Sequence, residues 1–420
     1  DWRLKESKSR DRAMKESCLK HRGTGSAYQL PYDAHHNNNY QHSRPKRARL
    51  NPSEAIPDPE LHRLLDIDDN KDILDEESII KVVLDKPFAA RAKYSRSMSK
   101  YAHAQYPLYI AIEQRASFEV VDILYKACPA AVRAKSTDRD TPLHLACEQG
   151  APPEVISLLL MEWPEATMER DVFGRTPLHC TCANFASAEV VSLLLEAYPE
   201  AARMKNTNGK TPLHFECEKG SSRDVILLLL EAFPEGAKEV DHEGRTPLHC
   251  LCTKREEMDE KTSVRVKNGL STGESKSMDE LTDSISKFIP SPEVVALLLE
   301  RYPEAVQEED DQGETPIDYW NEHHSPEYDE EIATIVYGIE TLYRTDLSQS
   351  IAIRIMEEFN IIGWWAGIAL AFDIHPALMQ SLDDLPINVI PSILSVLGRR
   401  CRKLTMWNMV LNRQDVLNTT

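Results

Sequence analysis

Two short stretches carry the residue types of a metal or redox centre. Residues 175–182 read RTPLHCTC and residues 245–252 read RTPLHCLC. Imidazole nitrogen and thiolate sulfur are the usual ligands of zinc, and a closed site gathers four of them tetrahedrally with Zn–S near ~2.3 Å. On one helix, His179 and Cys182 share a face as an i, i+3 pair, whereas Cys180 and Cys182 do not face each other. One such helix therefore offers two ligands at most, and the remaining ligands would have to come from elsewhere in the fold.

The motif is not confined to these two places. TPLH begins at Thr141, Thr176, Thr211 and Thr246, at a fixed step of 35 residues. Counting back the same step from Thr141 reaches Tyr106 and the worn copy YPLYIAIEQ, while the next copy forward, TPIDYW at Thr315, stands 69 residues after Thr246, an excess of 34. A fixed period of this size marks stacked supersecondary units. Each unit has a second segment, such as PEVISLLLMEWPEA or AEVVSLLLEAYPEA, whose aliphatic spacing predicts a helix of about three turns with a broad apolar face. Pro129, Pro164, Pro199, Pro234 and Pro303 stop these helices, since proline lacks the N–H and clashes with the preceding turn. Before them stand Cys128, Trp163, Tyr198, Phe233 and Tyr302. The pairs Asp171 and Gly174, Asn206 and Gly209, Asp241 and Gly244, and Asp310 and Gly313 predict tight hairpins, with Gly supplying positive φ. The Thr-Pro that follows caps and opens a short helix.

In this register the chain resembles the ankyrin repeat: a hairpin, helix one beginning TPLH, a turn, and helix two with its VV-LLL run. The period of 35 rather than the usual ~33 is similar to that of ankyrin proteins expanded in unicellular algae. Departures are Arg139 in place of the hairpin Gly, and Tyr109 and Asp318 in place of the His. The implied fold is an all-α solenoid of helix-turn-helix units with hairpin loops. A disordered basic arm is expected over 1–60 and capping helices over 61–105. Six repeats follow over 106–330, the fifth interrupted by a polar insertion over 253–289, and then a C-terminal helical domain over 331–420. There, EIATIVYGIETLY, SIAIRIMEEF, IIGWWAGIALAF and PSILSVLGRRCRKLTMWNMVL read as four or more helices. A single unit would not stand alone: five buried aliphatics contribute on the order of 10 kcal/mol, against ~1–2 kcal/mol of ordering for each residue.

The register also decides the opening motif. His144, His179, His214 and His249 form one column, and Cys147, Cys182, Cys217 and Cys252 another. Helices packed at ~8–10 Å hold equivalent cysteines too far apart to share a small ion, and beyond the ~7 Å Cα limit of a disulfide. No metal, cofactor or catalytic residue is expected. The resemblance implies that the histidine bonds backbone in the neighbouring hairpin and that the cysteine is a small core residue.

Composition agrees with an interaction protein. The net charge is −19, yet residues 1–50 hold twelve Lys and Arg against five Asp and Glu, so the arm carries +7 and the remainder −26. This balance argues against general nucleic-acid binding. Nine cysteines in 420 residues are too few for a disulfide scaffold and fit a reducing cytosol or nucleus. The longest apolar run, residues 361–372, is shorter than the ~20 residues of a membrane helix. The chain opens DWRLKESKSR, without Met or an apolar segment that reads as a secretory signal.

The resemblance places binding on hairpin tips and the open side of helix one. The candidate residues are Thr137, Asp138, Asp140, Glu148 and Gln149; Val172, Phe173, Arg175 and Asn184; Thr207, Asn208, Lys210, Glu218 and Lys219; and His242, Glu243 and Arg245. Phe173 beside Arg175 is the expected hot spot, because aromatics and Arg dominate interface energetics. The expected function is a monomeric, non-catalytic scaffold or adaptor for protein partners, cytoplasmic or nuclear. The alternative is a nuclear regulator that uses Arg44, Lys46, Arg47 and Arg49 for import or nucleic-acid contact. Ser277, followed by Asp279 and Glu280, is a candidate phosphorylation site.

Overall fold

The computed structural model describes residues 57–66, 74–95, 104–184, 187–219, 222–253, 291–323, 330–376 and 378. The basic cluster at Arg44, Lys46, Arg47 and Arg49, the insertion beyond Thr253 with Ser277, and the expected fourth C-terminal helix lie outside them. Among the described residues the chain is helical, with one antiparallel bridge between Tyr94 and Gln105. The helices are α1 (Pro59–Leu65), α2 (Glu76–Asp85), α3 (Pro107–Glu113), α4 (Phe118–Ala127), α5 (Pro142–Glu148), α6 (Pro153–Glu162), α7 (Pro177–Ala183) and α8 (Ala188–Ala197). They continue with α9 (Pro212–Lys219), α10 (Arg223–Ala232), α11 (Pro247–Cys252), α12 (Pro292–Arg301), α13 (Pro316–His323), α14 (Glu330–Leu342), α15 (Gln349–Ile361) and α16 (Trp365–Ile374). None of them is long and apolar enough to cross a membrane.

The chain divides into two compact units, one comprising residues up to Thr137 together with Glu154–Ala166, the other Asp138–Pro153 and everything from Thr167 onward. In the first, α2 packs on α1 and α4, and α3 packs on α1 and α4. In the second, α5, α7, α9, α11 and α13 pack successively as one layer, while α8, α10 and α12 form the layer behind. Then α14 and α16 pack on α12, and α15 joins them.

Local chemistry explains the repeated outline. Proline opens each first helix, where its missing N–H costs nothing, with Thr in extended backbone before it. The second helix ends on Tyr198, Phe233 or Tyr302, whose backbone leaves the helical region, and the following proline starts a 3₁₀ turn. These rings are more than helix stops. Arg203 lies 5.4 Å over Phe233 and Lys238 5.6 Å over Tyr302 in one unit, and Arg133 lies 5.7 Å over Trp163 in the other. Each cation comes from the preceding 3₁₀ turn, so three rings of the aromatic column make cation–π contacts between neighbouring repeats, each worth ~0.5–1 kcal/mol where exposed.

One expected helix is shorter than its apolar run suggests. IIGWWAGIALAF continues α15 for a single residue, then breaks at Gly363 with φ of 74°. The Trp364 N–H returns to the Phe359 carbonyl at 2.8 Å and closes the helix end, and α16 starts only at Trp365. Glycine past the last turn, in left-handed conformation, satisfies the final carbonyls. Hydrophobicity ran through a turn that backbone chemistry interrupts.

Arg139 holds the hairpin position that glycine occupies in later repeats, and it keeps the same left-handed backbone: φ is 65° there, against 76° at Gly209. For a residue with a Cβ this conformation costs ~1–2 kcal/mol. Replacing Arg139 with Gly is expected to stabilise the protein by ~0.5–1 kcal/mol in urea unfolding, after allowance for the freer unfolded chain. Gly209→Ala should do the opposite and cost more, because its Cβ would come within 2.8 Å of the His242 backbone nitrogen.

Candidate functional site

The repeated histidines do one job four times. In Thr141, Thr176, Thr211 and Thr246 the backbone N–H donates to Nδ1 of His144, His179, His214 and His249 at 3.1–3.3 Å, and the hydroxyl meets the same nitrogen at 2.8–2.9 Å. At Thr141, Thr176 and Thr246 the hydroxyl in turn accepts from the histidine backbone N–H, so Thr and His form a reciprocal cap on helix one. Because Nδ1 accepts, the proton resides on Nε2, which donates to the carbonyls of Arg175, Lys210, Arg245 and Glu314 at 3.1–3.2 Å. Each imidazole thus ties its own helix to the next hairpin, with both nitrogens engaged. Burial pushes His179 and His214 down to about 4, opposed in part by the carbonyls of Lys210 and Arg245. His144 and His249 move in the same direction for the same cause.

The cysteines stand beside this column as small apolar groups. Cys147, Cys180, Cys182, Cys217, Cys250 and Cys252 are buried and unbridged. Burial pushes the thiols of Cys147, Cys250 and Cys252 up to about 12, and those of Cys180 and Cys182 well above the ordinary value. A thiol held protonated is neither a nucleophile nor a ready ligand.

The hairpins are built on one carboxylate or amide each. Oδ1 of Asp171, Asn206, Asp241 and Asp310 accepts the N–H groups two and four residues on, at 2.8–3.0 Å. The second oxygen then takes a cation or hydroxyl: Asp171 binds Arg175 at 2.6 Å, Asp241 binds Arg245 at 3.0 Å and Asp310 accepts from Tyr319 at 2.7 Å. Burial alone would raise the Asp241 carboxyl. The N–H groups of Arg245 and Glu243 and the Arg245 guanidinium more than offset it and hold Asp241 below its ordinary value. Asn206 has no charge to offer, and Lys210 turns instead to Glu218 at 2.7 Å. Successive hairpins are joined by backbone: Val172 N–H to Asp138 O, Thr207 to Phe173, His242 to Asn208 and Asp311 to Glu243, at 2.9–3.0 Å.

This ladder leaves two side chains per hairpin outward. Thr137, Asp138, Val172, Phe173, Thr207, Asn208, His242 and Glu243 are exposed, as is Asn184 at the end of α7. Glu148, Gln149, Glu218 and Lys219 are half-buried on helix one. Two expectations need correction. Asp140, placed at the surface by its position in the hairpin, is only 5% exposed. Arg175, Lys210 and Arg245, expected to be free of packing, are half-buried and held in the ion pairs above. Phe173 remains open at 58% exposure, and the Arg175 guanidinium lies 5.2 Å over its ring, so the expected hot spot is one ring resting on a committed cation. Missing from the sequence-based set are Asp311 and Gln312, exposed at the last hairpin, which the Asp310 to Gly313 spacing could have placed.

The family comparison agrees with this geometry. The model of ankyrin repeats matches residues 108–203 and 182–258, in three copies, and the chain carries ankyrin repeats over them. None of the curated proteins matches the chain. Among solved structures, a chain matches from the complex of the predatory endopeptidase Bd0816 from Bdellovibrio bacteriovorus with the immunity protein Bd3460. It is 16% identical, covers 51% of this chain and 90% of its own length, and has a TM-score of 0.36.

Replacing His214 with Ala removes a cap and a tie to the next repeat at once, and should lower Tm by several degrees. Replacing Cys182 with Ala should leave Tm almost unchanged, and purified repeats that bound zinc stoichiometrically would overturn the structural reading of both columns. The histidines also set a pH dependence. Their native values lie below the unfolded ~6.5, so between about 6.5 and 4 the unfolded chain binds more protons. Stability is therefore complete above 6.5 and lost as pH falls through 4, by on the order of 3 kcal/mol for each of His179 and His214. Urea unfolding at neutral and mildly acid pH measures this loss, and His214→Ala should flatten it.

Proposed function

We propose that the chain is a non-catalytic adaptor that holds a protein partner on its hairpin tips, with Phe173 at the centre of the contact. Ankyrin repeats are protein-interaction modules in general, and the specific role rests on one observation. The frame of the tips repeats without change through the hairpin hydrogen bonds, while the pairs it displays do not: Val172 and Phe173, Thr207 and Asn208, His242 and Glu243, Asp311 and Gln312. An exposed aromatic on a rigid hairpin loses little conformational freedom on binding, and this favours affinity. Around it the rim is polar and acidic, with Asp138, Glu243 and Asp311 exposed. A partner that fits offers an apolar pocket bordered by hydrogen-bond donors and positive charge.

The reading is tested by affinity capture on the full chain and on Phe173→Ser, with His242→Ser as a second tip variant. A partner retained by wild type and weakened by on the order of tenfold or more in Phe173→Ser, at unchanged Tm, supports it. Equal capture by all three proteins removes Phe173 from the contact and the proposal with it.

A further inference from the structure

The first repeat departs from the hairpin plan, and the departure builds a pocket. Elsewhere the hairpin closes when the N–H of Asp171 or Asp241 meets the carbonyl four residues on, at Arg175 or Arg245. In the first repeat the equivalent closure is Tyr94 N–H to Gln105 O at 2.7 Å, returned by Gln105 N–H to Tyr94 O at 2.8 Å. More residues lie between them in the chain, and the residue pair has changed. Asp and Arg, which neutralise each other at 2.6 Å in the third repeat, are here Tyr94 and Gln105. The Tyr94 hydroxyl is committed to the Ala89 carbonyl and the Asp58 N–H, both at 2.9 Å. Gln105 is 9% exposed, and its Nε2 is buried with no hydrogen-bond partner among the described residues. An orphaned buried donor costs ~1–3 kcal/mol, which a ligand with acceptor oxygens would recover.

The walls around Gln105 match such a ligand. The pocket has a volume of about 170 Å³, well above the ~10–15 Å³ that a single water requires. The described residues that line it include Lys93, Lys135, Tyr106, Ser136 and Thr137, and among them is no Asp or Glu, in a chain with 68 acidic residues. Ser136 stands where the later hairpins carry Asp171, Asn206, Asp241 and Asp310, so the carboxylate that would repel an anion has been removed at this hairpin. Lys93 has also left its register. The equivalent Arg170 and Lys205 donate to the carbonyls of Lys205 and Val240 at 2.6 and 2.8 Å, whereas the Lys93 ammonium lies 5.2 Å over the Tyr106 ring on the pocket wall.

We propose that this pocket binds a tetrahedral oxyanion of the phosphate class, with Lys93 supplying charge and the Gln105 amide, once turned so that its enclosed Nε2 faces the pocket, a directed hydrogen bond. The site does not depend on the protein-binding role of the hairpin tips. The ligand is either free phosphate or a phosphoryl group carried on a serine side chain, and the two share the same chemistry of recognition.

The test follows the Gln105 side-chain amide by NMR in the full chain, titrated with inorganic phosphate, with O-phosphoserine, and with sodium chloride at matched ionic strength. Saturable shifts with phosphate but not chloride are expected. Lys93→Met should weaken binding on the order of tenfold. Gln105→Leu, followed by calorimetry, should also weaken it while leaving Tm equal or higher, because the orphaned donor is gone. Tighter binding of O-phosphoserine than of phosphate identifies a carried phosphoryl group, and equal or weaker binding identifies the free ion. Shifts that never saturate, that chloride reproduces, or that persist unchanged in Lys93→Met overturn the proposal.

Discussion

The hydrogen-bond pair made by each buried imidazole is the constraint on which the repeats depend. Nδ1 closes the N-terminus of one helix and Nε2–H reaches the hairpin of the next repeat, so a single side chain fixes both an internal angle and the step to its neighbour. The geometry requires the neutral Nε2–H form, since a second proton on Nδ1 would eject the threonine N–H it accepts. Burial enforces that form by holding the histidines below their ordinary value. The motif that resembles a metal ligand set is thereby excluded from coordination by the same bonds that make it useful, because both of its nitrogens are already committed.

Once the imidazole sets the step, the hairpins align well enough for their backbones to pair, and the Asx carboxylates can use one oxygen for the turn and the other for a cation. Both ends of the series depart from this motif. At the last repeat Asp318 replaces His: its carboxylate accepts from the Thr315 N–H and hydroxyl at 2.8 and 2.7 Å and preserves the cap, but it is too short to reach another hairpin. At the first, Tyr109 occupies the histidine position and the hairpin before it is lengthened. Only the departure at Asp318 answers a missing next hairpin; Tyr109 is followed in the chain by the hairpin of the second repeat.

Much of this was legible in the sequence because stacking repeats each error-intolerant residue at a fixed interval. Thr, Pro, His, Asp and Gly each appear where a cap, a helix start, a tie or a positive φ is required, and Arg139 was visible as an exception that the backbone then keeps at φ of 65°. What the period cannot reveal is which charged residue finds a partner. Asp140, Arg175, Lys210 and Arg245 share one register position, yet the cations at 175 and 245 pair within their own hairpins, Lys210 pairs on helix one because Asn206 has no charge, and Asp140 is buried. The turn at Gly363 was hidden for another reason: apolar residues flank it on both sides, so the hydrophobic pattern does not register the break. The Gln105 pocket was hidden because it comes from residues that are missing, an Asp and an Arg, rather than from any motif that is present.

The interruption after RTPLHCLC falls at the point in the repeat where it disturbs least. The tie from His249 reaches Glu314 at 3.2 Å across 65 residues, and the hairpin pairing from Asp311 to Glu243 is retained at 3.0 Å. Between helix one and helix two the third repeat has the four residues 184–187, and the fifth has residues 253–291. The connection is thus roughly ten times longer in the fifth repeat than in the third. On the far side α12 and α13 restore the histidine tie, the backbone pair and the Lys238 contact with Tyr302, so the register resumes unchanged. An insertion in the hairpin would have separated the imidazole from its carbonyl, and one within helix two would have broken the layer behind it. The helix-helix turn is the one place in the unit where chain can be added without touching a contact that sets the register.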